Sequence, residues 1–122
     1  MTNPTQLDRT AWMSGRFGLM THWLFPGVMP ETGGDAGASP LARSLDEAVD
    51  QFNVSRLLED FDGQESAATG AEWFLLTLGQ NTGCYISPNS FIETLAGKGH
   101  CSQRDLAYEI ADGVHRLGMQ LV

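Results

Sequence analysis

Residues 16–23, RFGLMTHW, are short, apolar and bounded by Gly15 and Pro26. A run of that kind predicts a buried β-strand. Residues 72–78, EWFLLTL, are nearly continuous in apolar side chains. Such a run suits a parallel strand buried on both faces. MQLV at 119–122 reads as the start of a third strand.

The stretches between these runs are loops and helices. Residues 24–42 hold four glycines and three prolines and read as a long loop. Long loops in compact domains are usually functional or disordered. Helical signals begin at Ser44, where Glu47 three residues later completes a capping box. A second helix start falls at Asn53, with Leu57, Leu58 and Phe61 as one apolar stripe. Gly63 interrupts that pattern, Ala67 and Ala68 continue it, and Gly70 suits the left-handed position after a helix end. Residues 79–99 form a second long loop, holding Pro88, Gly97 and Gly99. Ser102 and Asp105 make another capping box. Leu106, Ile110, Val114 and Leu117 share a helical face that Gly118 ends.

The order is therefore β-loop-α-β-loop-α-β, an α/β chain of parallel strands with right-handed crossovers. That order fits a closed barrel and an open doubly wound sheet alike. Both long loops follow a strand and precede a helix. In either architecture that end of the sheet carries the site.

Bulk properties narrow the function. At 122 residues the chain is one domain or less, and 42% apolar content allows a modest core. Fifteen acidic residues against seven Lys plus Arg give a net charge of −8. Nucleic acid needs a basic footprint, and an anionic membrane surface needs one too, so neither is an expected partner. No apolar run is long enough to span a bilayer, and residues 1–11 lack the apolar core of a signal peptide. The expected location is the cytoplasm. Cys84 and Cys101 make no disulfide framework and are expected as reduced thiols. CxxC and HExxH are absent, so no metal or other cofactor is expected.

Four residues are candidates for a ligand site. His22 and Trp23 end the first strand. An imidazole there can donate to a sugar hydroxyl, and an indole can stack on a sugar's apolar face. The plain alternative for His22 is a core histidine satisfied by a carbonyl. Gln80 and Asn81 follow the second strand, and their amides suit hydroxyl-rich ligands. Turn chemistry explains them equally. Trp12 and Trp73 read as packing residues. Gly33-Gly34-Asp35-Ala36-Gly37 lacks the lysine of a phosphate loop and reads as a flexible stretch. Glu59, Asp60, Asp62 and Glu65 read as a solvated helix face. Glu31, Asp35 and Glu93 are loop carboxylates on the site side.

Taken in order, these segments resemble the α-L-fucosidases of glycoside hydrolase family 29. RFGLMTHW is similar to that family's KFGIFIHWG, and Trp12 matches the tryptophan before it. Phe52-Asn53 matches the FN before the family's first helix, and AEWFLLT is similar to AKYFVLT. Arg104-Asp105-Leu106 and Gly118-Met119 are similar to RDLV and GLKFG. The resemblance implies a (β/α)8 barrel of which residues 1–122 are the N-terminal part. It implies a retaining exo-glycosidase acting on a terminal deoxyhexose or related sugar, with His22 touching the sugar. The chain departs from the family at Leu24, where the family has glycine. It departs again at Gln80-Asn81-Thr82-Gly83-Cys84, where the family has HHDGF and only the glycine is shared.

Retaining hydrolysis needs two carboxylates about 5 Å apart. The resemblance implies that both lie on later strands, so no catalytic residue is assigned within these residues. The expectation is a truncated chain, or one completed by self-association or by another polypeptide. The isolated chain is expected to be poorly stable, with two open sheet edges and an uncovered interior face. A non-catalytic sugar-binding barrel is the second expectation. A doubly wound nucleotide-binding domain ranks last, because the first strand-to-helix connection is long and has no GxGxxG.

Overall fold

The computed structural model describes residues 11–25, 44–62 and 70–122. The glycine-rich stretch at 33–37, Glu31, Glu65 and the helix continuation at Ala67 and Ala68 lie outside the described residues.

Three strands form one sheet: β1 (Gly18–His22), β2 (Trp73–Thr77) and β3 (Gln120–Leu121). All are parallel, and the order is β1-β2-β3. The chain is therefore mixed α/β, as the alternating pattern predicts. This consecutive order opens a closed (β/α) barrel and also runs through one half of a doubly wound sheet.

Helices α1 (Leu45–Asp50), α2 (Val54–Asp62) and α4 (Leu106–Arg116) cover one face of the sheet. Local chemistry starts each of them. Ser44 and Glu47 close the expected capping box on α1. Asn53 accepts the Arg56 N–H at 3.0 Å ahead of α2. Phe74, Leu106, Ile110, Val49 and Val114 are buried completely or nearly so at the centre of the core. Phe61 of α2 meets Phe74 edge-on, with ring centroids 4.8 Å apart. Gly118 ends α4 with φ +77 and turns the chain into β3.

Three sequence expectations are corrected. The cap of α4 is Asp105, which accepts the Tyr108 N–H at 3.0 Å, while the Ser102 hydroxyl donates to the Arg104 carbonyl instead. The expected loop at 79–99 contains a helix, α3 (Ser90–Ala96), capped by Asn89. Its Phe91 and Leu95 are exposed, so no buried stripe announced it. Trp12 is 38% exposed in a 3-10 turn that buries nothing, and does not pack as expected.

The other face of the sheet carries Gly18, Met20 and His22 of β1 and Trp73, Leu75 and Thr77 of β2. None of these joins the core, and Met20 is 57% exposed. Trp73 packs across Gly18, where an added Cβ would overlap its ring. At its far end this face presents the C-terminal tips of β1 and β2.

Candidate functional site

Alternation along β1 decides what reaches the open face. Leu19 packs toward the helices; Met20 and His22, on the opposite face, do not. His22 stands opposite Thr77 in the parallel register. Its Nδ1 lies 2.9 Å from Thr77 Oγ1. One residue on, the Trp23 N–H donates to the Thr77 carbonyl at 3.2 Å, which ties the strand ends together. The exposed imidazole is thus held at the C-terminal ends of two adjacent strands.

Trp23 is a core residue. It is 8% exposed, belongs to the helix-side core and stacks with Phe25 at 6.5 Å. Trp23 thus packs on the helix side, while His22 stands exposed on the open face.

Gln80 and Asn81 lie in a tight turn just past β2. The Thr82 N–H donates to the Gly79 carbonyl at 2.9 Å, and the Thr82 hydroxyl donates to the same oxygen. The Cys84 N–H donates back to Thr82 Oγ1 at 3.3 Å. Asn81 has φ 58, the left-handed conformation that asparagine tolerates better than most residues. Turn formation therefore accounts for Asn81 at this position. Gln80 is half-buried and Asn81 exposed, at the same end of the sheet as His22.

Glu93, expected in a loop, lies in α3, and its carboxylate is committed to backbone N–H groups. Its Oε1 accepts N–H groups from Gly99 at 3.1 Å and Cys101 at 3.4 Å. His100 braces the same loop, with Nδ1 2.7 Å from the Gly83 carbonyl. Because a carbonyl only accepts, Nδ1 carries the proton in His100. Glu31 and Asp35 lie outside the described residues.

Cys84 and Cys101 are buried and not joined by a disulfide. Burial, and then the neighbouring Cys101, push the Cys84 thiol upward. Burial also pushes Cys101 upward, against the contact of its Sγ with the Asn89 carbonyl. Neither is poised as a nucleophile. No group of three His, Cys, Asp or Glu suited to a metal occurs among the described residues. No helix among them is long and apolar enough to cross a membrane.

An open depression of about 560 Å³ lies on the helix side, between the α1–α2 turn and α4. Arg104 and Glu109 line it, but they are bound to each other, and Arg104 also donates to backbone carbonyls. It is a surface dip over a structural anchor.

Thr77 is the functional-site residue that sequence reading missed. Its place opposite His22 follows from pairing two strands fifty-five residues apart, and nothing local in FLLT announces it. No protein-family model, no curated protein and no solved structure matches the chain.

Proposed function

We propose that this chain is a carbohydrate-active protein of the α-L-fucosidase type, opening a (β/α)8 barrel and receiving a terminal sugar at the C-terminal ends of β1 and β2. The observation that carries this reading is His22, exposed on the open sheet face and held by Thr77. The four ordered segments resembling glycoside hydrolase family 29 support it. So does the parallel β1-β2-β3 order with helices on one face. The partner is a deoxyhexose or a related sugar, with self-association as a further possibility for covering the open face. Two buried thiols suit a reducing compartment such as the cytoplasm.

Retaining hydrolysis requires a carboxylate pair. Glu93 serves the loop and Asp105 caps α4, so neither is offered for that role. The second reading is a sugar-binding protein without turnover.

Calorimetric titration of the chain with L-fucose and other deoxyhexoses tests the sugar site. Saturable binding that disappears in His22→Ala supports it; no binding of any deoxyhexose by the wild-type chain sinks it. Release of aryl alcohol from an aryl α-L-fucoside separates the hydrolase from the binder.

A further inference from the structure

We infer that Thr77 is a positioning residue that fixes the tautomer of His22, so that Nε2–H is presented to an acceptor oxygen of the bound sugar. This rests on the sugar-site reading above and deepens it. A neutral imidazole has one donor and one acceptor nitrogen, and a hydroxyl that donates to one leaves the other to carry the proton. Thr77 Oγ1 occupies Nδ1 at 2.9 Å. Unlike a carbonyl, a hydroxyl can donate, and His22 is the side-chain partner at Thr77 Oγ1.

The hydroxyl is also well anchored. Thr is stiff at χ1, and its backbone carbonyl is held by Trp23 N–H at 3.2 Å. With the threonine proton on the Nδ1 lone pair, the ring proton sits on Nε2. On the exposed ring, that nitrogen has no partner among the described residues. A sugar ether or hydroxyl oxygen accepts from it.

The same chain contains the opposite case. His100 Nδ1 meets the Gly83 carbonyl at 2.7 Å, which forces the proton onto Nδ1. With Thr77 as the donor, His22 carries the tautomer opposite to that of His100. Each serves as the other's internal reference.

Long-range nitrogen-15 NMR of the intact chain in mildly alkaline buffer reads both rings directly. The expected result is Nε2–H for His22 and Nδ1–H for His100. Thr77→Val should turn His22 into a mixture of tautomers and leave His100 unchanged; Thr77→Ser should restore the wild-type spectrum. Nδ1–H at His22 in the wild type, or no change in Thr77→Val, overturns the assignment.

Titration with L-fucose gives the second arm. Thr77→Val should weaken binding by about three- to tenfold, with Thr77→Ser close to wild type. Unchanged affinity in Thr77→Val overturns the ligand-facing half. If wild type binds no fucose, the sugar-site reading has failed, and the tautomer spectra alone decide what Thr77 does.

Discussion

Arg104 holds Glu109 through two parallel hydrogen bonds, Nε to Oε1 at 2.8 Å and Nη2 to Oε2 at 2.7 Å. Its remaining nitrogen, Nη1, donates to the carbonyls of Val49 at 2.8 Å, Asp50 at 3.3 Å and Phe52 at 3.1 Å. One guanidinium thus ties the first turn of α4 to the end of α1 and the approach to α2. Those carbonyls lie at and just past a helix end, where intrahelical donors run out; Val49 also accepts the Phe52 N–H at 3.1 Å. The adjacent Asp105 caps α4, and Leu106 is fully buried. The Arg-Asp-Leu triplet is therefore a structural staple.

Replacing Arg104 should be costly because Glu109 and the carbonyls of Asp50 and Phe52 lose its donors, while the Val49 carbonyl keeps the Phe52 N–H at 3.1 Å. Arg104→Met is expected to lower stability by about 2 to 3 kcal/mol, the loss of charge-assisted bonds. Arg104→Lys should recover less than half, since an ammonium cannot form the fork. Urea unfolding measures both. A loss under about 0.5 kcal/mol in Arg104→Met contradicts the role.

The ion pair also sets a pH dependence. The bond from Arg104, and then its charge, hold the Glu109 carboxyl below its ordinary value against opposing burial. A carboxylate lowered on folding stabilises fully above its unfolded value, about 4.3, and loses that contribution as pH falls through the folded value. Wild type should therefore exceed Glu109→Gln in stability at neutral pH. The gap should narrow only below about pH 4. A gap that persists unchanged in strong acid removes electrostatics as the cause. Both side chains are partly exposed, so added salt should also shrink the gap.

How much of this was legible in sequence depended on how local each cause was. The capping box at Ser44 and Glu47, the apolar stripe of Leu57, Leu58 and Phe61, and the stop at Gly118 act within a few residues, and all appear in the structure. α3 was missed because Phe91 and Leu95 face solvent, which gives no burial period to read. Thr77 and the bonds of Arg104 were missed because their partners are about fifty residues away.

Gly18 is required by the tryptophan across from it. Its register partner is Trp73, and a Cβ at Gly18 would overlap the indole ring and the Trp73 carbonyl. The Trp73 indole N–H is buried without a partner among the described residues, so packing rather than hydrogen bonding holds the ring. Gly18→Ala should cost about 1 to 3 kcal/mol by overpacking and shift tryptophan fluorescence. Unchanged stability and emission would show that the ring moves aside freely.

The two thiols should resist modification. Burial raises both, so little thiolate exists at neutral pH, and the sulfurs are shielded besides. An aromatic disulfide reagent should label both rapidly in denaturant and slowly in the native protein. Rapid labelling of either in the native state would place that cysteine at the surface.

Asn81 offers the sharpest separation of fold from ligand binding. Its φ of 58 demands a left-handed backbone, and the turn around it is closed by Thr82 and Gly79. Asn81→Val forces a β-branched residue into that conformation and should cost about 1 to 2 kcal/mol. Asn81→Gly removes the amide but accepts the conformation, so stability should be equal to or above wild type. If the asparagine serves the turn alone, Asn81→Gly also binds L-fucose like wild type, and His22 remains the recognition contact. If its affinity falls while its stability holds, the amide reaches the sugar, and the turn exists to aim it.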